Sequence, residues 1–295
     1  SLTPIEYYQD VASAQVKSCL ILSALHISGQ STFHEEIETR DHTENLLEHL
    51  SYEINRDSNS LSLKGKQNLI AKDIFIGSDI SSAAFFIVAS LIVDGSCIEM
   101  RNVNINKFRT GIVTVLKGMG ADIEIFDVKM VSNELIGNIK VRHSKLKCTN
   151  IKGEIIPSLI DELPILFIAC ATASGTSKIS GIEELRYKES DRIMAMENGL
   201  RAIGINVHSS KDSIEITGGK ITGGKVDSYD DHRIAMSFAI AGLISEQSLT
   251  IMDTQNISTS FPTFVTLLRQ LGCLLYTSDA ADEGLGVDLG GRRII

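Results

Sequence analysis

Four stretches of small and apolar residues, each long enough for a helix, recur along the chain and constrain its fold more than any other feature. Each stretch follows a polar opening and leads through a Gly or Ser stop to a short strand-like segment. The stretches are apolar nearly all round, which is typical of a helix that is buried on most of its surface. The sequence therefore predicts buried helices at the centre of a layer, with the stretches beginning at Val16, Ala83, Leu163 and Arg233.

The residues at both ends of these stretches are those that start and stop helices. Ser and Asp side chains accept hydrogen bonds from the free backbone N–H groups of a first turn. Such residues form the four openings, which are Ser13 to Gln15, Asp79 to Ser82, Asp161 with Glu162, and Asp230 to His232. Gly residues stand where the first three helices are expected to end, at Gly29, Gly95 and Gly175.

A second, amphipathic helix is predicted in each unit, over residues 41–50, 108–119, 190–203 and 262–271. In the third of these, Ser190 is the expected N-cap. Equivalent openings recur at intervals of roughly 70 residues, which is longer than a solenoid repeat. The pattern predicts an α/β fold that is built from a duplicated subdomain.

Charge and cysteine usage exclude several classes of protein. Asp and Glu number 37 against 28 Lys and Arg, which gives a formal net charge of −9, and no nucleic-acid partner is expected. The five cysteines stand singly, with no CxxC pair and no Cys/His pair at metal-ligand spacing. Neither a zinc site nor a disulfide framework is therefore predicted, and a reducing, cytoplasmic compartment fits best.

Membrane insertion and secretion are not predicted. Residues 80–93 carry no charge, but this stretch is shorter than the roughly 20 residues that a membrane-spanning helix needs. The N-terminus has no basic region followed by an apolar one, as a signal peptide would.

The densest polar cluster runs from Glu183 to Arg192, between a strand-like segment and the start of an amphipathic helix. Three cations and four carboxylates meet there, where free N–H groups and the helix dipole also attract an anion. A phosphate or carboxylate ligand is one interpretation of this cluster. A solvated run of charges joined in i,i+4 pairs is the other.

Two other openings carry groups that suit chemistry. Arg233 follows Asp231 and His232 at the start of an apolar helix, where a guanidinium needs a partner such as a planar carboxylate or a phosphate. Asp161 stands at the mouth of another such helix, where burial is expected to raise its pKa and suit it to act as a base. The alternatives are that Arg233 makes an internal ion pair and that Asp161 and Asp231 are only N-caps.

A weaker group lies near the N-terminus, where Ser13, Gln15 and Lys17 are followed one strand later by the segment from Arg40 to Thr43. Their hydroxyl, amide and guanidinium groups suit the hydroxyls and phosphate of a polar small molecule. Taken alone, they also fit an ordinary polar surface. The repeat places these groups at equivalent helix openings, so we expect them to converge on one cleft.

Seven short motifs follow one another along the chain: SAQVKS (13–18), TRDHT (39–43), GSDISSAAFF (77–86), IDELPIL (160–166), ELRYKESDR (184–192), DDHRIAM (230–236) and SFPTF (260–264). In this order they resemble the 5-enolpyruvylshikimate-3-phosphate (EPSP) synthase family. The resemblance covers about residues 10–273. ELRYKESDR and DDHR are its specific parts, because they separate this family from its fold relative, the UDP-N-acetylglucosamine enolpyruvyl transferase.

The resemblance implies the enolpyruvyl transferase fold, an inside-out α/β barrel of repeated βαβαββ units with buried helices, in two domains that close over the substrates. It also implies transfer of the enolpyruvyl group of phosphoenolpyruvate to the 5-hydroxyl of shikimate 3-phosphate, with release of phosphate, in the shikimate pathway to aromatic amino acids. No metal and no organic cofactor are expected, and the protein is expected to be a monomer.

The resemblance further implies a role for individual residues. Asp161 would deprotonate the attacking 5-hydroxyl, Lys188 would bond to that hydroxyl and to phosphoenolpyruvate, and Glu189 would deliver a proton to the methylene carbon. Six residues would bind the substrates, with Arg192 and Arg233 on the carboxylate of phosphoenolpyruvate, and Ser13, Gln15, Arg40 and the nearby Glu184 on shikimate 3-phosphate. Asp231 and His232 would support them.

Departures from the family pattern define the expected domains. The family has a Lys, a Ser and an Arg near its N-terminus, then a glycine-rich stretch and a further Arg, and nothing in this sequence matches them. We therefore expect residues 1–76 to be the last part of a truncated first domain, 77–273 to be a nearly complete second domain, and the tail from Leu274, residues 274–295, to be non-native. Thr259 stands where some members have a phosphate-binding Lys.

Two alternatives to a shikimate-type transferase stay open on the sequence. The first is the cell-wall transferase, whose substrate is a nucleotide sugar. The second is a non-catalytic fragment that binds small anions without turnover.

Overall fold

The computed structural model describes residues 2–10, 12–277 and 284–287. Its first unit has two helices and four strands, which alternate as β-α-β-α-β-β. These elements are β1 (Glu6–Gln9), α1 (Ala14–Ala24), β2 (Gln30–Glu35), α2 (His42–His49), β3 (Ile54–Asp57) and β4 (Ser60–Lys64). The four strands form one sheet in the order β1-β2-β4-β3.

The direction of the strands follows from their connections. β1 runs parallel to β2, and β2, β4 and β3 are antiparallel neighbours. Parallel strands need a long crossover, which α1 supplies, whereas β3 and β4 are joined by a tight turn.

Three more units repeat this arrangement along the chain. The second unit contains α3 (Ile80–Ile92), β5 (Cys97–Asn104), α4 (Gly111–Gly118), β6 (Asp122–Val131) and β7 (Glu134–Arg142). The third contains β8 (Asn150–Ile151), α5 (Leu163–Thr172), β9 (Thr176–Ser180), α6 (Arg192–Ala202), β10 (Asn206–Ser209) and β11 (Ser213–Thr217). The fourth contains β12 (Gly224–Asp227), α7 (His232–Gly242), β13 (Leu249–Met252), α8 (Asn256–Ser260), α9 (Phe264–Gln270), β14 (Leu275–Thr277) and β15 (Gly284–Val287).

The sheets of these units repeat the strand order of the first. The third and fourth sheets have the orders β8-β9-β11-β10 and β12-β13-β15-β14, each with one parallel pair followed by two antiparallel pairs. In the second sheet, whose order is β5-β7-β6, an isolated parallel bridge from Ser78 to Val103 stands where the first strand would be. The predicted α/β fold of repeated βαβαββ units is confirmed.

Three buried helices form the centre of the larger core. α3, α5 and α7 pack against one another, and 11 of the 13 residues of α3 are buried, so this helix has no wet face. Phe85 and Phe86 on α3 meet the ring of Phe264 edge-on, at centroid distances of 5.8 and 5.9 Å. The prediction of buried helices at the centre of a layer is confirmed for these three.

The prediction is wrong for α1. Only Lys17, Ile21 and Ala24 of this helix are buried, and Val16 and Leu22 are 42% and 51% exposed. The physical reason is the size of the smaller core, a cluster of seven buried residues between Ile21 and Leu63 that covers one side of the helix.

Helix starts differ in detail from the predicted ones. Ser13, Asp79 and Asp231 cap α1, α3 and α7 with their side chains, as expected. Asp191, and not Ser190, caps α6 by accepting from the Met194 N–H at 3.0 Å. The amphipathic helices are also shorter than the ranges predicted from their apolar spacing, because turns and loops take up their first residues.

The division of the chain after residue 76 stays a prediction. The smaller apolar cluster ends at Leu63 and the larger one begins at Ile80. The prediction of a non-native tail from Leu274 also stays one, and residues 278–283 and 288–295 of that tail lie outside the described residues. Within the described ranges, none of the helices has both the length and the apolar character that crossing a bilayer requires.

A pair of glycine substitutions tests the packing of the core. An added Cβ at Gly199 of α6 would stand 2.2 Å from Cζ of the buried Phe238. We therefore expect Gly199→Ala to lower the free energy of unfolding by about 1–3 kcal/mol, because the ring has to shift in a close-packed core. Gly118 at the exposed end of α4 has open space around its Cβ position.

Gly118→Ala is the matched control for this prediction. It adds the same methyl group to a helix and is expected to leave the stability unchanged or to raise it by up to about 1 kcal/mol. Urea denaturation of both variants measures the two effects. Equal stability of the two variants would show that Phe238 is not packed as described.

Candidate active site

The candidate site lies where the first unit meets the first turns of the buried helices. Asp161 stands in a 3-10 turn, Ile160–Glu162, directly before α5. Nη1 of Arg40 donates to Oδ2 of Asp161 at 3.1 Å, although 121 residues separate the two in sequence. Each side chain keeps 19% of its surface exposed, so this ion pair is still open to solvent on one side.

Several cations surround Asp161 and determine its ionisation. Nη1 of Arg233 donates to the backbone carbonyl of Asp161 at 3.0 Å. Burial alone would raise the pKa of Asp161, but the charges of Arg233, Arg40, Lys188 and Arg192 outweigh it and hold the pKa below its ordinary value. The expectation that burial raises this pKa is therefore wrong, and Asp161 is a carboxylate at neutral pH.

A buried ion pair joins the first turns of α6 and α7. Nε of Arg192 donates to Oδ2 of Asp231 at 2.8 Å, and the two side chains are only 1% and 0% exposed. Asp231 also accepts from the hydroxyl of Ser190 at 3.1 Å and, as the N-cap of α7, from the Arg233 N–H at 2.9 Å. Burial opposes ionisation of Asp231, but these bonds keep its pKa below the ordinary value.

The turn before α7 explains how Asp231 reaches this position. Tyr229 and Asp230 both have positive φ angles, 54° and 58°. Two consecutive side-chain-bearing residues in the left-handed region are uncommon and costly. This sharp reversal ends β12 and delivers Asp231 into the cap of α7, while His232 follows as a half-buried residue whose pKa is lowered by burial and by Arg233.

Two further ion pairs of the charged cluster involve Lys188 and Glu189. Nζ of Lys188 donates to Oε1 of Glu184, and the lysine keeps 20% of its surface exposed. Oε2 of Glu189 accepts from Nη2 of Arg192 at 2.5 Å, and Glu189 is 52% exposed. The i,i+4 pair that was the alternative interpretation is therefore present, but it lies among the other candidate groups and not on a separate face.

Two predicted residues of the first unit lie at the start of α1. The hydroxyl of Ser13 accepts from the Val16 N–H at 3.4 Å, and Gln15 is exposed beside it. Gln15 and Arg40 line one open cavity of about 420 Å³ together with Ser18 and Thr43. Arg40 thus connects the groups near the N-terminus to Asp161, as the predicted convergence on one cleft requires.

Lys17 does not take part in this cleft. It is 2% exposed, and its ammonium group lies 2.8 Å from a carboxylate oxygen of Glu35 and 2.8 Å from one of Glu44. Lys17 therefore holds α1 against β2 and α2 inside the first unit.

A second polar network near Asp161 was not predicted from the sequence. The hydroxyl of Ser81 donates to Oε1 of Glu162, and Nη2 of Arg109 donates to the same hydroxyl at 2.5 Å and to Oδ1 of Asp79 at 2.9 Å. Asp79, Ser81 and Glu162 stood in the sequence as helix openings and inside two of the seven motifs, but with no role of their own, and Arg109 stood in no motif. The repeat was the available signal, because it places the starts of α3 and α5 in equivalent positions.

No metal centre can be assigned in the described ranges, because they contain no group of three or more His, Cys, Asp or Glu residues that could hold an ion. The expectation that the protein uses neither a metal nor an organic cofactor stays a prediction.

Comparison with known proteins identifies the relatives of this chain. Residues 1–268 match the family model of EPSP synthase (3-phosphoshikimate 1-carboxyvinyltransferase). The 3-phosphoshikimate 1-carboxyvinyltransferases of Coxiella burnetii strain CbuK_Q154 and of Methylococcus capsulatus strain Bath are each 46% identical over 271 residues, which are 92% of this chain. The EPSP synthase of Acinetobacter baumannii superposes with a TM-score of 0.85 at 41% identity over 91% of this chain. In all three cases the chain spans 62% of the length of the relative.

The buried pair between Arg192 and Asp231 is testable through stability. We expect Asp231→Asn to lower the free energy of unfolding by about 3–5 kcal/mol at neutral pH, because it leaves the Arg192 guanidinium buried without its counter-charge. Urea denaturation measures this loss. Asp191→Asn is the control, since asparagine also caps helices and the Arg186–Asp191 pair is 23% and 29% exposed.

The loss of stability in Asp231→Asn is predicted to depend on pH. The ordinary pKa of Asp231 is 3.8 and the folded value lies below it. The stability that this carboxylate contributes is therefore complete above about pH 3.8 and is lost as the pH falls through the folded pKa. The difference in stability between the unsubstituted chain and Asp231→Asn should shrink below that pH, and a constant difference would contradict the assignment.

Proposed function

This chain belongs to the EPSP synthase family, and from that premise we propose that the protein transfers the enolpyruvyl group of phosphoenolpyruvate to the 5-hydroxyl of shikimate 3-phosphate. The hydroxyl oxygen bonds to C2 of phosphoenolpyruvate while the methylene carbon gains a proton, which gives a tetrahedral intermediate. Loss of a methyl proton and of phosphate then restores the double bond. This reaction serves the route to aromatic amino acids.

The observation that carries the proposal is the meeting of Arg40 with Asp161. It brings a cation of the first unit to a carboxylate at the start of α5, and Lys188, Arg192 and Arg233 surround that carboxylate. Two substrates that carry several negative charges need such a group of cations. Asp161, the carboxylate that these cations surround, supplies the base.

We propose Asp161 as the base for the 5-hydroxyl. The neighbouring cations lower its pKa, which makes it a weak base. Anionic substrates would partly neutralise those cations and draw Arg40 from its bond with Asp161, and the pKa of Asp161 would then rise. Substrate binding would thereby activate the base.

Glu189 is proposed to deliver the proton at the methylene carbon, and Lys188 is proposed to bond to the 5-hydroxyl and to phosphoenolpyruvate. They follow one another at the edge of the cleft, and Glu189 is half exposed although it contacts the buried Arg192. The proton is given to the CH2 carbon in the addition step and removed from the CH3 carbon in the elimination step. A group that can exchange its proton with solvent suits both steps.

The arginines are proposed to bind the carboxylate of phosphoenolpyruvate. Arg192 uses Nε and Nη2 for Asp231 and Glu189, so the Nη1 edge is the part that we expect to meet a substrate. Arg233 stands beside it at the start of α7. Asp231 and His232 would hold these two in place, and Ser13, Gln15, Arg40 and Glu184 are proposed to bind shikimate 3-phosphate.

We also propose a monomer in a reducing, cytoplasmic compartment. All five cysteines are free. Burial raises the pKa of the Cys170 thiol to about 12 and that of Cys273 to about 11, so these two stay protonated. No observation favours the cell-wall transferase, since the matching family model and the relatives named above are EPSP synthases.

A phosphate-release assay tests the reaction. The chain is assayed with shikimate 3-phosphate and phosphoenolpyruvate, alone and joined to the N-terminal segment of the Acinetobacter baumannii synthase. We expect release that needs both substrates and the added segment, because the chain spans 62% of its relatives. No release from either protein, with both shown to be folded, would favour a binding fragment without turnover.

Substitutions in the extended protein test the assigned roles. Lys188→Met and Glu189→Gln should each lower kcat by about 10²- to 10⁴-fold with the fold retained, because the first removes the cation that bonds to both substrates and the second removes the group that delivers the proton. Arg233→Ala should mainly raise KM for phosphoenolpyruvate. Lys220→Met is the control, since Lys220 is 84% exposed and pairs with Glu246 away from the cleft. Unchanged turnover in either of the first two variants would contradict its role.

A further inference from the structure

The carboxyl group of Glu162 is buried directly beside the proposed base. Its side chain is 2% exposed, and burial raises its pKa above the ordinary value. A carboxyl group in this position is costly unless it is hydrogen-bonded. The mechanism proposed above does not use Glu162, so its retention in the core next to Asp161 needs another explanation.

A directed chain of hydrogen bonds ends on Glu162. A serine hydroxyl has one proton to donate and lone pairs to accept. Ser81 gives its proton to Oε1 of Glu162 and accepts from Nη2 of Arg109 at 2.5 Å. Arg109 is anchored in turn by Oδ1 of Asp79 at 2.9 Å, while Oδ2 of Asp79 caps α3 through the Ser82 N–H at 3.0 Å. Glu162 is thus tied to the first turn of another buried helix.

These hydrogen bonds fix the backbone of Asp161. Asp161 and Glu162 belong to one 3-10 turn, in which the Glu162 N–H donates to the Leu159 carbonyl at 3.0 Å. Arg233 holds the Asp161 carbonyl from the other side. Because both sides of the turn are held, the backbone of Asp161 cannot rotate freely. Its carboxylate therefore stays within reach of Arg40 and the neighbouring cations.

We propose that Glu162, held by Ser81 and Arg109, is a positioning residue that fixes Asp161 among the cations of the cleft. The inference rests on the proposed function only in taking Asp161 as the base. The pKa of Asp161 reports on the position of its carboxylate, because this pKa depends on the distance to each cation. The pKa of Asp161 can be measured without any turnover by the protein.

The charged groups that face Asp161 determine whether its pKa should rise or fall in the Ser81→Ala variant. They are Arg40 before α2, Arg233 on α7, Lys188, Arg192 at the start of α6, and Glu162 itself. If Ser81→Ala releases the turn, Asp161 moves away from the four cations and its pKa rises. If Ser81→Ala only weakens the bond to Glu162, that carboxyl becomes more protonated, a like charge is removed, and the pKa of Asp161 stays or falls. The sign of the change therefore separates positioning from a local loss of a hydrogen bond.

The experiment is a carbon-13 NMR titration of the Asp161 carboxyl in the chain as it stands. Aspartate is labelled at the carboxyl carbon, and Asp161→Asn identifies the resonance. We expect Ser81→Ala to raise the pKa of Asp161 by about one pH unit, and Ser81→Thr, which keeps the hydroxyl, to restore it. Ser82→Ala is the matched control, because its hydroxyl lies one residue on in the same turn and bonds to Asp79 instead of Glu162.

The outcomes that would overturn the inference are an unchanged or lowered pKa of Asp161 in folded Ser81→Ala, or an equal rise in Ser82→Ala. If Ser81→Ala does not fold, Arg109→Lys decides, because it keeps the charge but removes Nη2, the nitrogen that donates to both Ser81 and Asp79. It should raise the pKa of Asp161 in the same direction, and an unchanged value would overturn the inference. In the extended protein, Ser81→Ala should lower kcat at least about tenfold with little change in KM.

A failure of the proposed function gives a different result. If the extended protein releases no phosphate while Ser81→Ala still raises the pKa of Asp161, the positioning role of Glu162 holds and the reaction assigned to the site is wrong. If turnover is present and the pKa does not respond, the reaction holds and the positioning role is wrong.

Discussion

Three helices without a wet face, α3, α5 and α7, pack against one another, and the need to bury them on all sides limits where polar chemistry can occur. Charged side chains are excluded from their middles, so in the described residues these groups stand at the first turns. The free N–H groups of a first turn and the helix dipole attract negative charge. Each start accordingly has an acidic group and an arginine from another element: Asp79 with Arg109, Asp161 with Arg40, and Asp231 with Arg192.

Cations govern the ionisation of the two carboxylates of this cleft, although the whole chain is acidic. The net charge of the sequence is −9, yet the pKa values of Asp161 and Asp231 are both lowered although burial acts to raise them. Arginine suits this task because its planar fork can bind a carboxylate on one edge and leave another edge for a ligand. The overall composition therefore does not indicate how strongly the surroundings of Asp161 and Asp231 favour negative charge.

The fold could be predicted from the sequence to the extent that burial dominates it. The uncharged runs that begin at Ala83 and Leu163 predicted buried helices, because a helix with no polar face is stable only in the core. The spacing of the openings predicted the repeat. The predicted burial of α1 failed, since apolar composition does not say how much surface is available to cover Val16 and Leu22. In the site, local motifs identified Asp161, Arg192 and Arg233, but the partner of each is distant in sequence. Arg40 with Asp161 and Arg109 with Ser81 are contacts that only the folded chain reveals.

The bond between Arg40 and Asp161 has a consequence for how tightly any anion can be held. Both groups already have a counter-ion within the protein, so an entering anion exchanges with Asp161 for Arg40 instead of adding to an unpaired cation. Added salt weakens the internal pair and the new one together. The affinity of the cleft should consequently depend on ionic strength less steeply than the number of its cations suggests, and the internal pair acts as a resident competitor that discriminates against weakly charged ligands.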